Sequence, residues 1–413
     1  SDQLAPVNLM FTGNGVSGSV SGVVTSLRQV PNVDLYLDVL TGRLESKLTD
    51  LLPGLPWKED ALFSGTVKAT GHLLGSPGRD LRLESVRLST TSLPLNFTAE
   101  GDLDLVPANV RLNRSMGELH VRLRNQSIQQ LAALMSIDVP INFRVSGEGV
   151  LSGRPSNFRL DQIILIGESP HLGIQLTGNV SQLGSADGPD LLLNFDTTSD
   201  GPAEVSKLFK FQMPLRGSAR MTGALRGNSK GYGLSELSAS FDTQDLTIDG
   251  TGQFDLLSTG LEGHLEFTAK TGSIQSLADR LGTQLPIDAT AIGRGMLTCA
   301  NRRCGVEVEN LAINSPRLEI SATGRVDSLD EQPQLALKFK GDTVDIAALA
   351  QAWGMQWSVP PYLRTSVTGW LDMDGDDARL SGVVGQISGD GLSGRFTGSL
   401  INFLNDPRPM WDL

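Results

Sequence analysis

The stretch Leu318-Glu-Ile-Ser-Ala-Thr-Gly324-Arg-Val-Asp-Ser-Leu-Asp-Glu-Gln-Pro333-Gln-Leu-Ala-Leu-Lys-Phe339 contains the pattern that decides the fold. Apolar and polar residues alternate on both sides of a loop: Leu318, Ile320 and Ala322 before Gly324, then Leu335, Leu337 and Phe339 after Pro333. Period two with one apolar face predicts antiparallel strands that bury one side and wet the other. Pro333 opens the second of these strands, where a missing N–H costs least.

The same phrase recurs along the chain. One glycine series runs Gly22, Gly101, Gly178, Gly252, Gly324, Gly398, with steps of 79, 77, 74, 72 and 74. A proline series, Pro56, Pro140, Pro214, Pro286 and Pro360, has steps of 84, 74, 72 and 74. A glycine lies nine residues beyond each of the last four, at Gly149, Gly223, Gly295 and Gly369, with Gly71 as the displaced first counterpart. Two independent markers share one step, so the chain reads as a tandem repeat of about 74 residues. The expected divisions are 1–27, the end of a preceding repeat, then 28–106, 107–184, 185–257, 258–330 and 331–413.

Each repeat reads strand, helix, strand, strand, strand. The first strand alternates in every copy: Val33, Leu35, Leu37; Leu119, Val121, Leu123; Leu191, Leu193, Phe195; Leu261, Leu265, Phe267; Leu335, Leu337, Phe339. A short amphipathic helix follows, with Ile274, Leu277, Leu281 and Ile346, Leu349, Trp353 at i, i+3, i+7. Residues 127–131 and 203–208 fill the same slot. Helices this short are marginal alone and are expected to pack on the sheet.

The third strand departs from strict alternation. Its apolar residues fall at 81, 83, 86, 88, at 158, 160, 163, 165 and at 306, 308, 311, 313. A step of three within a period of two predicts a β-bulge, since otherwise every later side chain would change face. The fourth strand carries Ile174 and Leu176, or Leu318 and Ile320, and ends on the marker glycine.

Four strands per repeat give a mainly β, elongated antiparallel sheet of ~20–22 strands at ~4.8 Å spacing. Open sheets rarely exceed ~10 strands without curling. Bulges and glycines at one place per repeat are expected to supply that curl and turn the apolar face into a groove. Two fates remain open for it: a core filled by its own side chains and helices, or a lipid-sized slot.

The order of elements, with Ser321-Ala-Thr-Gly324-Arg-Val-Asp-Ser-Leu329, Pro333-Gln-Leu335-Ala-Leu337 and Asp345-Ile-Ala-Ala-Leu349-Ala-Gln, resembles the AsmA-like family (the AsmA, TamB, YhdP and YdbH type). The resemblance covers essentially the whole chain, through strand and turn patterns shared across the family. It implies a β-groove or taco solenoid in the periplasm, anchored in the inner membrane by an N-terminal helix absent from this stretch. It also implies conduction of phospholipid towards the outer membrane, with partner proteins in both membranes at the ends of the full-length chain. The alternative is a periplasmic scaffold that assists outer-membrane protein assembly through sheet edges or helices, without lipid transport. On the first reading the groove is lined by Val33, Leu35, Leu37, Leu119, Val121, Leu123, Ile174, Leu176, Leu191, Leu193, Phe195, Leu265, Phe267, Leu318, Ile320, Leu335, Leu337 and Phe339.

Charge fits an apolar contact. A net charge of −12 argues against nucleic acid and against electrostatic docking on anionic headgroups. Each methylene removed from water gains ~0.8 kcal/mol, so a 16-carbon chain crossing bulk water faces roughly 13 kcal/mol. A continuous apolar trough removes most of that barrier with no catalytic residue, cofactor or metal.

Other patterns carry less. Gly13-Asn14-Gly15-Val16-Ser17-Gly18 matches a dinucleotide fingerprint, but no helix follows, so a strand or turn is expected. Asp372-Met-Asp374-Gly-Asp376-Asp377 lacks the glycine and acid that a calcium loop needs at its sixth and twelfth positions, and reads as a hairpin turn. His72, His120, His171 and His264 fall in no catalytic spacing, and no enzyme is expected. Cys299 and Cys304 have no further ligands for zinc nearby; a disulfide closing a hairpin tip, favouring an oxidising compartment, is preferred to a free thiol pair.

Overall fold

The structure, a computed structural model, describes residues 4–26, 30–42, 44–47, 62–77, 79–93, 96–105, 117–130, 143–154, 157–183, 188–201, 217–228, 231–257, 260–280, 287–300, 303–327, 334–345, 363–374, 377–389, 391–401 and 408–412. These residues are mainly β and antiparallel. Contacts divide the chain into two compact units, unit 1 built chiefly on Ser1–Ser199 and unit 2 on Gly233–Leu413.

Unit 1 holds β1 (Ala5–Gly13), β2 (Val16–Thr25), β3 (Asn32–Thr41), β4 (Leu44–Lys47), β5 (Leu62–Gly75), β6 (Leu81–Leu93), β7 (Phe97–Leu105), β8 (Gly117–Ser127), β9 (Arg144–Arg154), β10 (Asn157–Glu168), β11 (Leu172–Leu183) and β12 (Asp190–Ser199). Each pairs antiparallel with the next, except that β3 and β4 both lie along β5. β4 therefore continues β3 beyond a break after Gly42, which the alternation of Val33, Leu35 and Leu37 did not predict.

β13 (Gly217–Asn228) and β14 (Gly231–Thr243) are divided, with Ala224–Tyr232 assigned to unit 1, and unit 2 continues with β15 (Thr247–Leu257), β16 (Gly260–Thr271), helix α1 (Ile274–Arg280), β17 (Thr290–Ala300), β18 (Arg303–Asn314), β19 (Leu318–Asp327), β20 (Gln334–Thr343), β21 (Arg364–Asp374), β22 (Asp377–Gly389), β23 (Leu392–Ile401) and β24 (Arg408–Asp412). From β15 to β24 every strand pairs antiparallel with its successor.

The bulges lie where the step of three places them. Register shifts occur between Leu83 and Val86, Leu160 and Ile163, Val308 and Leu311, and Leu380 and Val383. In three of these the residue before the second apolar position is left-handed: Ser85 (φ 53), Gln162 (φ 52) and Gly382 (φ 56). Glu236 (φ 54) stands in the same relation to Leu237 in β14. The turned backbone restores the face, and Val86, Ile163, Leu237 and Val383 are all buried. The amide freed by the bulge finds a side chain beside the marker glycine. Ser85 N–H donates to Asp102 Oδ1 at 2.8 Å, and Gln162 N–H to Asn179 Oδ1 at 3.2 Å.

The marker glycines are needed for a close approach. A Cβ on Gly22, Gly101, Gly178, Gly252 or Gly324 would fall on the carbonyl oxygen of Asp34, Glu118, Leu192, His264 or Ala336 on the next strand. Gly178 and Gly324 also hold φ of 145° and 151°, which L side chains rarely adopt.

Local turns follow their residue types. Asn14 and Gly15, with φ of 49° and 77°, close the β1–β2 hairpin, so the dinucleotide-like motif is a primed turn. Asp374 lies opposite Asp377 across the β21–β22 hairpin. Cys299 and Cys304, directly opposed at the end of β17 and the start of β18, form a disulfide.

Candidate functional site: the apolar sheet face

Directly paired residues in an antiparallel ladder project to the same side, so the register defines rows that run across the strands. In unit 1 one row is Phe97, Leu123, Gly147, Leu165, Leu176, Phe195. Another passes from Val20 through Leu37 to Gly71. In unit 2 one row joins Leu265, Leu297, Val306, Val326, Leu335 and Met373. A second joins Phe267, Gly295, Val308, Gly324, Leu337, Leu371, Leu380 and Leu400. A third runs Ile313, Ile320, Gly341, Val367, Gly385, Phe396.

Every lining residue expected from the sequence lies on such a face of its own unit. Val33, Leu35, Leu37, Leu119, Val121, Leu123, Ile174, Leu176, Leu191, Leu193 and Phe195 are in unit 1; Leu265, Phe267, Leu318, Ile320, Leu335, Leu337 and Phe339 are in unit 2. Their burial is uneven. Val33, Leu193, Phe195 and Leu337 are buried, and the other fourteen are only half-buried. A sheet face packed against a second layer would bury such side chains throughout. The opposite face is wet: Glu118, His120, Arg122 and Arg124 on β8 are all exposed.

Large and small residues interleave along the rows. Leu35, Leu119, Leu193, Leu265 and Leu337 each face a marker glycine on the preceding strand. On the other side Leu37, Val121, Phe267 and Phe339 face Gly71, Gly149, Gly295 and Gly369. The rings of Phe267 and Phe339 lie 3.2 Å and 3.1 Å from where a Cβ on Gly295 or Gly369 would sit. The aromatic side chains thus cover the backbone that glycine leaves bare.

Polar side chains bound the face at the end of the first strand, a feature that sequence reasoning missed. Thr41, Ser199, Thr271 and Thr343 close β3, β12, β16 and β20, and Gln126 stands one residue before the end of β8. Thr41 Oγ1 accepts from Val67 N–H at 2.8 Å, and Gln126 Oε1 from Asn96 N–H at 3.2 Å. Thr343 Oγ1 donates to the Arg317 carbonyl at 2.8 Å. Thr41, Gln126 and Thr343 thus spend these hydrogen bonds on backbone where the apolar band ends. The spacing of Ser199, Thr271 and Thr343, 72 residues each, was the available signal.

A second missed device is the hairpin at the same end. Ser169, Thr243 and Ser315 each pair their N–H with the carbonyl of the leucine three residues on, Leu172, Leu246 or Leu318, at 2.8 Å. Their hydroxyls accept from that leucine's N–H at 3.1, 2.8 and 3.1 Å.

Helix α1 is also held at the strand ends. Ser273 caps it, its Oγ accepting from Ser276 N–H at 3.0 Å and donating to Asp288 at 2.5 Å. Arg280 pairs with Asp245 and donates to Gln244 at 2.9 Å, both in the β14–β15 turn. Ile274 N–H bonds the Ala289 carbonyl at 2.8 Å. The helix is therefore fixed at the rim by contacts at both of its ends. Residues 128–130 begin a helical turn in the second slot; Leu281, 203–208 and the helix expected around Ile346, Leu349 and Trp353 lie outside the described residues.

Among the described residues no group of three His, Cys, Asp or Glu could hold a metal ion, and no helix is long and apolar enough to cross a membrane. No family model, curated protein or solved structure matches this chain.

Proposed function

We propose that the apolar face carries acyl chains, and that the protein is a periplasmic bridge segment conducting phospholipid between inner and outer membranes. The observation that carries this reading is the set of rows in each unit built only of apolar residues and glycine, most of whose Leu, Val, Ile and Phe side chains are half-buried. Such rows leave apolar surface available to a hydrocarbon chain while offering no charge that would trap it. The bulges and glycine approaches, at one position per repeat, support a sheet curled into a trough. The resemblance of 321–329, 333–337 and 345–351 to the AsmA-like family supports the same reading, with an anchor in the inner membrane and partner proteins at both ends. The experiment is mass spectrometry of lipid extracted from the chain purified from bacterial cells. Co-purifying phospholipid supports the conduit, and a lipid-free preparation that also fails to take up lipid from vesicles sinks it.

The alternative is a scaffold that assists outer-membrane protein assembly through sheet edges or helices, without carrying lipid. A lipid-free protein that binds unfolded outer-membrane strands would support that reading.

A further inference from the structure

We propose that unit 2 carries a site for a phosphate-class oxyanion on its polar face, at the end of strands β19–β23 that lies beside the β18–β19 turn. A solvent-open basin of about 730 Å³ lies there, and its lining includes Arg317, Arg364, Arg395, Ser366, Ser388 and Ser393. Register sets these residues on one face. Arg364, Ser388 and Ser393 form one cross-strand row, and Ser366, Gln386 and Arg395 form the adjacent one. Arg317 joins the first row, because Val344 N–H bonds its carbonyl at 3.2 Å.

Arg364 on β21 is central. Arg395 lies two strands away on β23, and Arg317 two strands away on the other side, just before β19. Two strand spacings are about 10 Å, a gap that guanidinium groups on long flexible stems close by leaning inwards. Three forks, from β21, β23 and the β18–β19 turn, suit a tetrahedral oxyanion better than a planar carboxylate, which one fork satisfies. Ser388 and Ser393 add neutral hydroxyl donors at intermediate positions, whereas Ser366 already donates to Asp342.

The charge balance within the basin points the same way. The chain as a whole carries −12, yet the three arginines form no ion pair among the described residues, whereas Arg82, Arg122 and Arg325 elsewhere are paired. The basin contains two acids, Glu319 and Asp342. Asp342 is already bound by Lys340 at 2.9 Å, which leaves Glu319 as the uncompensated negative neighbour against three arginines. That surplus is modest, so affinity is expected to be salt-sensitive.

The site does not depend on the acyl-chain reading, because a soluble anion can fill it as readily as a lipid headgroup. The test uses the full chain at low ionic strength, with inorganic phosphate followed by calorimetry. Vesicles of phosphatidylcholine, with or without phosphatidylglycerol, are followed by co-sedimentation. Phosphate binding that Arg364→Gln weakens by about tenfold, and Arg325→Gln leaves unchanged, supports a free-anion site. Retention only on phosphatidylglycerol vesicles, lost in Arg364→Gln, supports the same site filled by a headgroup. All substituted arginines are exposed, and unchanged circular dichroism verifies their folding. Absence of binding by either probe, or binding indifferent to both Arg364→Gln and Arg395→Gln, overturns the proposal.

Discussion

Gly178 and Leu193 are direct cross-strand partners, and Gly178 is also paired with Ile163 on its other side. Both large side chains are buried, and the glycine between them approaches so closely that a Cβ would strike the Leu192 carbonyl. A side chain here would have to displace backbone, not a flexible neighbour. Gly178→Ala is therefore expected to cost about 2 kcal/mol or more. Gly394→Ala, where nothing lies within 4 Å of the added carbon, is the matched control and should be near neutral. Urea midpoints of the two variants check this, and equal midpoints would refute the close-approach account.

The bulges make a prediction of the opposite sign. Gln162 holds φ 52 in β10, a conformation that costs a non-glycine residue roughly 1 kcal/mol. Gln162→Gly should therefore be neutral or stabilising by up to about 1 kcal/mol, the gain reduced by glycine's extra freedom when unfolded. The equivalent residue of β22 is already Gly382. By contrast Asn179→Ala, which removes the acceptor for the Gln162 amide, should cost about 1 kcal/mol. Thermal unfolding of both variants separates the effects.

The sequence made the strands and bulges legible because both are periodic. Leu160 and Ile163 differ by three where the pattern demands two, and only an extra residue in the ladder reconciles them. The glycine series announced itself by spacing, though its reason, contact with a carbonyl on the next strand, needs three dimensions. What stayed hidden was whatever varied in residue type. Thr41, Gln126 and Ser199 do one job with three side chains, and polar residues at a strand end look like the start of a loop. The apolar spacing of Ile274 and Leu277 in α1 shows that the helix packs but not where. Its position is set by Arg280 reaching Asp245, a residue 35 positions earlier in sequence.

The Cys299–Cys304 bond closes a ring of only six residues. Loop-closure entropy for so short a ring is worth about 2 kcal/mol. Changing both residues to Ser should lower stability by no more than that, with the loss confined to the tip of β17 and β18. Amide hydrogen exchange checks this: Thr298 and Gly305 should exchange faster, while β21 and β22 keep their protection.

Asp342 is expected to contribute a small acid sensitivity. The hydrogen bond from Lys340, then that from Ser366, hold its carboxyl below its ordinary value of 3.8. A depressed folded-state value means the contribution is complete above the ordinary carboxylate value. It disappears as pH falls through the lower folded value. Because the pair is well exposed, solvent screening keeps the effect small. Asp342→Asn should flatten the part of the stability profile below about pH 4 and leave neutral pH nearly unchanged, as followed by thermal unfolding across pH.

The choice of position decides whether the lipid reading can be tested by a charge on the apolar face. Leu337 is the obvious candidate from its place in the strand, but it is buried between Gly324 and Leu371, and an aspartate there would be desolvated. Leu335, one step along the same face, is half-buried between Val326 and Met373, so a carboxylate there keeps access to water. Leu335→Asp is thus expected to leave the β circular dichroism unchanged. It should cut lipid co-purification or transfer at least severalfold, because a charge in the row interrupts a path built from methylene contacts at ~0.8 kcal/mol each. Phe339→Leu, which keeps the row apolar, should have little effect on lipid. A Leu335→Asp protein that folds and still carries lipid at the unmodified level would mean that cargo does not travel along this face.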